Sequence, residues 1–96
     1  MILLGLEIEL HFPQAQSLKE KRARLRPVID GLSNRFNVGV AEVEFQDLWQ
    51  RATIGVALVG GEATMVERAA DEVERFVWSF PEHEVVAIER RWMEQD

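Results

Sequence analysis

A run of basic residues early in the chain is the strongest candidate for a functional site. Five cationic side chains occur here at close spacing: Lys19, Lys21, Arg22, Arg24 and Arg26. Lysine and arginine bind phosphate groups electrostatically and without regard to base sequence. Trp49 and Arg51 could extend such a surface through an exposed indole and a further cation. The sequence therefore predicts an RNA- or partner-binding surface at these seven residues, with a merely solvated helix face as the alternative interpretation.

The distribution of charge locates this surface. The chain carries a net charge of −6, yet residues 17–36 contain six basic and two acidic side chains, which gives +4 locally and −10 elsewhere. A partner senses the local field within about one Debye length, ~8 Å at physiological salt. Because the acidic remainder repels phosphate, any nucleic-acid contact is expected at residues 17–36.

Other residue combinations indicate chemistry only weakly. Carboxylates and a histidine on neighbouring strands could form an acid/base or divalent-cation site: Glu7, Glu9, Glu42, Glu44 and His11. Carboxylates on an exposed sheet face are more often simply solvated. The chain has no cysteine, and it has neither a phosphate-binding glycine loop nor a Gly-x-Ser-x-Gly motif. We therefore expect no catalytic residue, no metal site and no cofactor, and hence a protein that is not an enzyme.

Hydrophobic periodicity predicts the elements that position these residues. Residues 2–12 alternate between apolar and other side chains, as in a half-buried strand that ends at Pro13. The segments 37–45 and 51–59 are rich in β-branched residues and predict a hairpin with a long loop. Residues 84–93 again have the character of a strand.

Two amphipathic helices are expected between the strands. Ser17 and Glu20 form a capping box, in which the Glu20 carboxylate is expected to accept a hydrogen bond from the Ser17 amide. Pro27 predicts a kink near Arg26 or a helix that restarts at position 27. The second helix has its apolar side chains between positions 65 and 80 and is stopped by Pro81.

The order β-α-β-β-α-β predicts the fold class. It gives an α+β, ferredoxin-like sandwich, in which a four-stranded antiparallel sheet carries two helices on one face, in a single domain spanning residues 1–96. This fold serves many functions, so it constrains activity little. The first ten residues match neither a signal peptide nor a membrane span, because no basic residue precedes them and two glutamates interrupt them. We expect a cytoplasmic protein without a membrane partner.

The open face of the predicted sheet suggests a different function. It combines small residues with acidic ones and lacks the aromatic rings on which RNA-recognition sheets stack bases. Small residues permit close approach of a second backbone, so the alternative to RNA binding is a homodimeric interaction or regulatory module with a small ligand at the dimer seam. A bulge near Ala41 is expected to exchange the faces of the second strand.

Three segments resemble those of a known family. They are residues 17–22 (Ser-Leu-Lys-Glu-Lys-Arg), 36–43 (Phe-Asn-Val-Gly-Val-Ala-Glu-Val) and 46–52 (Gln-Asp-Leu-Trp-Gln-Arg-Ala). In this order they are similar to the small bacterial YlxP-like proteins. That resemblance implies a ferredoxin-like fold and a gene located near those for ribosome-binding factor A and translation initiation. It implies no catalytic residue, and it favours association with ribosomal RNA or with a ribosome-associated protein.

Overall fold

A computed structural model describes residues 1–94, which form six elements in the predicted order. The strands and helices are β1 (Ile2–His11), α1 (Leu18–Arg35), β2 (Gly39–Glu44), β3 (Arg51–Gly60), α2 (Ala63–Trp78) and β4 (Glu84–Glu94). The strands make one antiparallel sheet in the order β2-β3-β1-β4. The predicted ferredoxin-like α+β fold is confirmed.

The core lies between one face of the sheet and the two helices. Every second residue of β1 from Ile2 to Leu10 is buried, as the alternation predicts. The helices contribute one stripe each, at positions spaced by three and four: Leu25, Val28 and Leu32 from α1, and Val66, Ala70, Val73 and Val77 from α2. The opposite face of the sheet is left open.

Helix α1 begins where the capping box predicts. The Glu20 amide donates a 3.0 Å hydrogen bond to Ser17 Oγ, which satisfies one of the free N–H groups of the first turn. The Glu20 carboxylate accepts its reciprocal bond from the Gln16 amide at 3.3 Å, one residue earlier than expected. The Ser17 hydroxyl group and the Glu20 carboxylate therefore still fix the backbone at the N-terminus of α1.

Pro27 does not divide this helix. The predicted restart at position 27 is wrong, since α1 runs without a break from Leu18 to Arg35. Proline cannot donate to the carbonyl group of Ala23, but both residues are exposed, so water can solvate that carbonyl group. The loss of one backbone hydrogen bond is therefore tolerated on the outer side of the helix.

Gly31 allows α1 to pack directly against α2. A methyl group at position 31 would overlap the end of the Phe76 ring. The ring also contacts Phe36 edge-on, with 5.9 Å between centroids, and lies under the guanidinium group of Arg35. Glycine lowers helix propensity, but at position 31 it leaves the space that the Phe76 ring occupies.

The bulge of β2 falls later than predicted. The register with β3 shifts between Glu42 and Glu44, whereas the sequence predicted the shift near Ala41. Val43 lies on the open face with Gly39 and Ala41, and it contacts Gly55 there. Among residues 1–94, neither helix combines the length and the apolar character needed to cross a lipid bilayer.

Candidate nucleic-acid interface

Three of the predicted cations share one exposed face of α1. Lys19, Arg22 and Arg26 are spaced by three and four residues and lie within about 60° of one another around the helix axis. Within residues 1–94, no carboxylate lies at ion-pair distance from any of them. We call these three residues the basic face. Their charges are available to an external anion.

The basic face lies on the side of α1 next to the edge strand β2. Arg22 and Arg26 line a shallow depression there, together with Leu25, Ile29, Asp30 and Glu42. Asp30, four residues after Arg26, introduces negative charge and ends the basic face on that side. An anion would therefore bind toward the beginning of α1, between Lys19 and Arg26.

Arg24 does not belong to this surface. Its position in α1 puts it on the other side of the helix, where it lines a depression with Pro13, Gln14, Pro81 and Glu82. It is half-buried and lies 3.4 Å from the Glu20 carboxylate, one turn earlier. Its charge is partly offset by that carboxylate.

Lys21 is buried completely and lies in the interior of the protein. Its side chain has no exposed surface, and Nζ donates to Glu42 Oε2 at 3.1 Å. Nζ also donates to the carbonyl oxygens of Phe45 at 2.8 Å and Arg51 at 3.1 Å, with a longer contact to that of Gln46. The prediction of Lys21 as a surface contact is corrected by this burial, because the ammonium group has no access to a phosphate.

The sequence contained a signal for this burial. Lys21 precedes Leu25, Val28 and Leu32 by four, seven and eleven residues, which places it on the same stripe of α1 as those core residues. Position on the helix therefore predicted burial, while residue type predicted exposure. A buried ammonium group is retained only where acceptors surround it, and the backbone between β2 and β3 supplies them here.

Trp49 and Arg51 lie together at the connection between β2 and β3. Trp49 is 55% exposed. Arg51 Nη2 lies 2.6 Å from Glu9 Oε2, and its guanidinium group lies over the Phe45 ring, 4.0 Å from the centroid. Glu9 thus offsets the charge of Arg51 and, with the ring, fixes the plane of its guanidinium group.

This connection is attached to the start of α1. Gln50 Nε2 donates to the carbonyl oxygens of Pro13 and Ala15, both at 3.2 Å, and Lys21 binds the connection from the interior. Trp49 is therefore held in the same part of the molecule as the first turns of α1.

The predicted carboxylate cluster does not form a single site. Glu42 turns toward α1 and binds Lys21, whereas Glu9 binds Arg51 on the open face. Glu7 pairs with Arg91, and His11 lies 3.3 Å from Glu84. Within the described part of the chain, no group of three carboxylate or histidine side chains is placed to hold a metal ion.

The open face of the sheet contains a shallow groove. Small residues from three neighbouring strands form its floor: Gly5, Gly39, Ala41, Gly55 and Ala57. Glu7, Val43 and Arg91 stand at its margins, and no aromatic side chain of residues 1–94 lines it. This composition agrees with the small and acidic face predicted from the sequence.

His83, like Lys21, is a titratable residue that is buried in the core. Its ring stacks on Phe80 and contacts Phe12 edge-on, and Nε2 lies 2.8 Å from the carbonyl oxygen of Val77 near the end of α2. Nδ1 has no hydrogen-bond partner among the described residues. Burial lowers the pKa of His83 below its usual value of 6.5, against the opposing effects of the Val77 carbonyl and Glu82.

Fold and charge together define the class of this protein: a small ferredoxin-like α+β domain with a cationic helix face on an acidic body. The sequence profile of the family described as "Protein of unknown function (DUF503)" matches residues 3–90. The chain belongs to that family.

Two known proteins support these assignments. The chain is 38% identical over 86 residues to the uncharacterized protein YlxP of Bacillus subtilis (strain 168), which covers 90% of this chain and 94% of the relative. The predicted resemblance to YlxP-like proteins is confirmed. Among solved structures, the de novo designed protein Foldit4 superimposes with a TM-score of 0.54 at 12% identity, over 98% of this chain and 99% of that one, which shows the fold alone.

Proposed function

We propose that this protein is a cytoplasmic accessory protein without catalytic activity that contacts ribosomal RNA through the basic face of α1. The observation that supports the proposal is that Lys19, Arg22 and Arg26 share one face of α1 and have no carboxylate partner within residues 1–94. Arg35, Arg68 and Arg75 also lack such a partner, but they do not form a group of three on one helix. Arg24, Arg51, Arg90 and Arg91, by contrast, each have an acidic neighbour within 3.4 Å.

The geometry of the basic face suits a phosphate backbone. Lys19 and Arg26 are seven residues apart, which corresponds to about 10 Å along the helix axis. Basic residues in the first turn oppose the helix dipole, so Lys19 is unfavourably placed unless an anion binds there. The acidic remainder of the surface repels RNA and restricts its approach to this side.

Trp49 provides a second possible contact surface for RNA. An exposed indole provides a platform on which a base from a single-stranded loop can stack. Arg51 contributes less electrostatically, because Glu9 already offsets its charge. Ribosomal RNA rather than another anion is favoured by the resemblance to YlxP-like proteins, whose genes lie near those for ribosome-binding factor A.

The experiment is a binding titration with purified ribosomal subunits over a range of salt concentrations. Three phosphate contacts predict that log K falls with log[salt] at a slope of roughly −2 to −3. Lys19→Glu combined with Arg22→Glu should weaken binding at least about tenfold and reduce the slope by about 2. Trp49→Ala should weaken binding without changing the slope.

Arg68→Glu combined with Arg75→Glu is the matched control. Both arginines are exposed on α2, and the double variant makes the same change in net charge as the α1 variant. Its affinity should stay within a few fold of the wild type. Equal losses in the two double variants would show that only net charge matters, and binding without salt dependence would exclude the phosphate contacts.

A second candidate function is self-association through the open face. The groove over Gly5, Gly55 and Ala57 is what favours it, since a second sheet can approach closely where side chains are small. Ala57→Arg fills the groove and should convert such a dimer to monomers in sedimentation experiments. A dimer that survives this substitution would reject the open face as its interface.

A further inference from the structure

The two edges of the sheet differ in their capacity to pair with another strand. Strand β2 is six residues long, is interrupted by the bulge at Val43 and carries Glu42 and Glu44. These features are typical of an edge that is protected from pairing. Strand β4 is eleven residues long. It also has a register shift, at Val86, and charged residues, but its pairing with β1 is regular over the eight residues from Ala87 to Glu94. Within residues 1–94, no strand pairs with the outer edge of β4.

We propose that β4 pairs in antiparallel orientation with β4 of a second copy of this chain, with Arg90 of each copy on the two-fold axis. The dimer would contain one continuous sheet of eight strands, four from each copy. This inference is independent of RNA binding and uses a surface other than the groove of the open face.

Side-chain alternation limits the possible registers. In a symmetric antiparallel pair, opposed residues must point to the same face, so the pair is centred on a single residue of β4. Centring on Arg90 puts Glu89 of each copy opposite Arg91 of the other. The same register puts Ile88 opposite Trp92 and Ala87 opposite Met93. Opposite charges and apolar pairs at directly opposed positions are the combinations that stabilise a sheet.

The neighbouring registers lack this complementarity. Centring on Glu89 sets the two Glu89 carboxylates against each other and leaves Arg91 opposite Ala87. Centring on Arg91 sets two exposed arginines against each other and places Glu89 opposite Met93. Neither register opposes residues of opposite charge, whereas centring on Arg90 gives two such pairs, so both registers are less favourable than the one centred on Arg90.

The two central arginines are neutralised within their own chains. Arg90 Nη2 lies 2.7 Å from Asp71 Oδ1, and Arg90 Nε lies 2.8 Å from Glu74 Oε2. Both carboxylates belong to α2, so the guanidinium group is held over the helix side of the sheet and away from its outer edge. Two carboxylates for each Arg90 offset the repulsion across the two-fold axis.

Apolar exposure on β4 is consistent with a covered edge. Trp92 is 45% and Met93 is 56% exposed, one on each face of the strand. In the proposed register each gains an apolar neighbour from the second copy. The basic face of α1 lies beside β2, at the opposite side of the sheet, and stays accessible in the dimer.

Exchanging the charges of Glu89 and Arg91 tests the proposed pairing of β4 with β4. In sedimentation equilibrium the wild type should have twice the 11.1 kDa mass of the chain at micromolar concentration. Glu89→Arg and Arg91→Glu should each raise the dissociation constant about tenfold or more, because each creates two opposed like-charge pairs. The double exchange should restore the dimer. An equimolar mixture of the two single variants should also dimerise, since all opposed pairs then have opposite signs.

Two control variants on α2 make the same charge changes away from β4. Glu67→Arg and Arg68→Glu are exposed and should leave the dimer unchanged. A wild type that is strictly monomeric overturns the proposal. Single β4 variants that dimerise like the wild type also overturn it, and a dimer that only Ala57→Arg disrupts assigns the interface to the open face.

Disulfide formation tests the register directly, because the chain has no cysteine of its own. Residues opposed on the two-fold axis have Cα atoms about 4.5–5.5 Å apart, which a disulfide can span. Arg90→Cys should therefore give a covalent dimer on mild oxidation. Glu89→Cys should not, since its two copies are offset by two residues and lie beyond the ~7 Å limit. Cross-linking through position 89 and not 90 would refute the Arg90-centred register.

Discussion

The ammonium group of Lys21 donates a 2.8 Å hydrogen bond to the carbonyl oxygen of Phe45, the residue whose backbone adopts a left-handed conformation at φ 65°. Residues other than glycine are uncommon in that conformation. Lys21 stabilises it by binding carbonyl groups on both sides of the connection between β2 and β3. The first helix thus fixes the path of a loop that is more than twenty residues away in the sequence.

Replacement of Lys21 should be strongly destabilising. Lys21→Met keeps the aliphatic part of the side chain but leaves Glu42 and the loop carbonyls without their donor. We expect a loss of about 2–4 kcal/mol in the free energy of unfolding. Lys19→Met is the control, because Lys19 is exposed two residues away, and it should change stability by less than about 0.5 kcal/mol. Urea denaturation measures both, and equal effects would contradict the interior role of Lys21.

A methyl group at position 31 should destabilise the protein although it favours the helix. Gly31→Ala gains about 1 kcal/mol of helix propensity, but its Cβ overlaps Phe76, and such overpacking costs roughly 1–3 kcal/mol. Thermal denaturation should therefore show a lower Tm. In a Phe76→Leu background the overlap is relieved, so the same substitution should become neutral or stabilising. Additive effects in this double-mutant cycle would argue against the contact.

Stability should fall as the solution becomes acidic, in part through His83. Its pKa is lowered in the folded state, so below about pH 6.5 the unfolded chain binds a proton that the folded chain resists. Above this pH the His83 ring is neutral in both states, so it adds nothing to the pH dependence of the free energy of unfolding. Below it, unfolding becomes easier by at most about 1.4 kcal/mol per pH unit, until the folded pKa is reached. His83→Gln should remove this part of the slope, and a variant with the wild-type slope between pH 7.5 and 5.5 would refute the assignment.

The cap of α1 should contribute measurably to stability. Ser17→Ala removes the oxygen that accepts the Glu20 amide, which costs about 1 kcal/mol in typical helices. Ser17→Asp supplies another acceptor and should retain most of the wild-type stability. Chemical denaturation of the three proteins gives the comparison, and equal stability of Ser17→Ala and the wild type would show that the cap is not needed.

Local patterns were sufficient to predict most of the fold. The alternation from Ile2 to Phe12 and the helix cap at Ser17 depend only on neighbouring residues, and both are confirmed, although the Glu20 carboxylate binds the Gln16 amide rather than that of Ser17. The position of the bulge at Val43 depends on the register of β2 against β3, which no local pattern specifies.

The candidate site was less predictable for the same reason. Spacing alone groups Lys19, Arg22 and Arg26, and the structure keeps them together. Acceptors from residues 42–51 hold Lys21 in the interior, and the Glu9 carboxylate faces Arg51 only because β1 and β3 are neighbours. Long-range partners therefore decide which of the predicted cations are available to a ligand.

The central place of β1 in the sheet has a consequence for how the protein is made. Both of its neighbours come later in the chain, since β3 begins at Arg51 and β4 at Glu84. A chain emerging from the ribosome holds β1, with its five apolar core side chains, with neither edge paired until these segments have been synthesised. Such long-range pairing slows folding and exposes β1 to aggregation or to chaperones for most of synthesis.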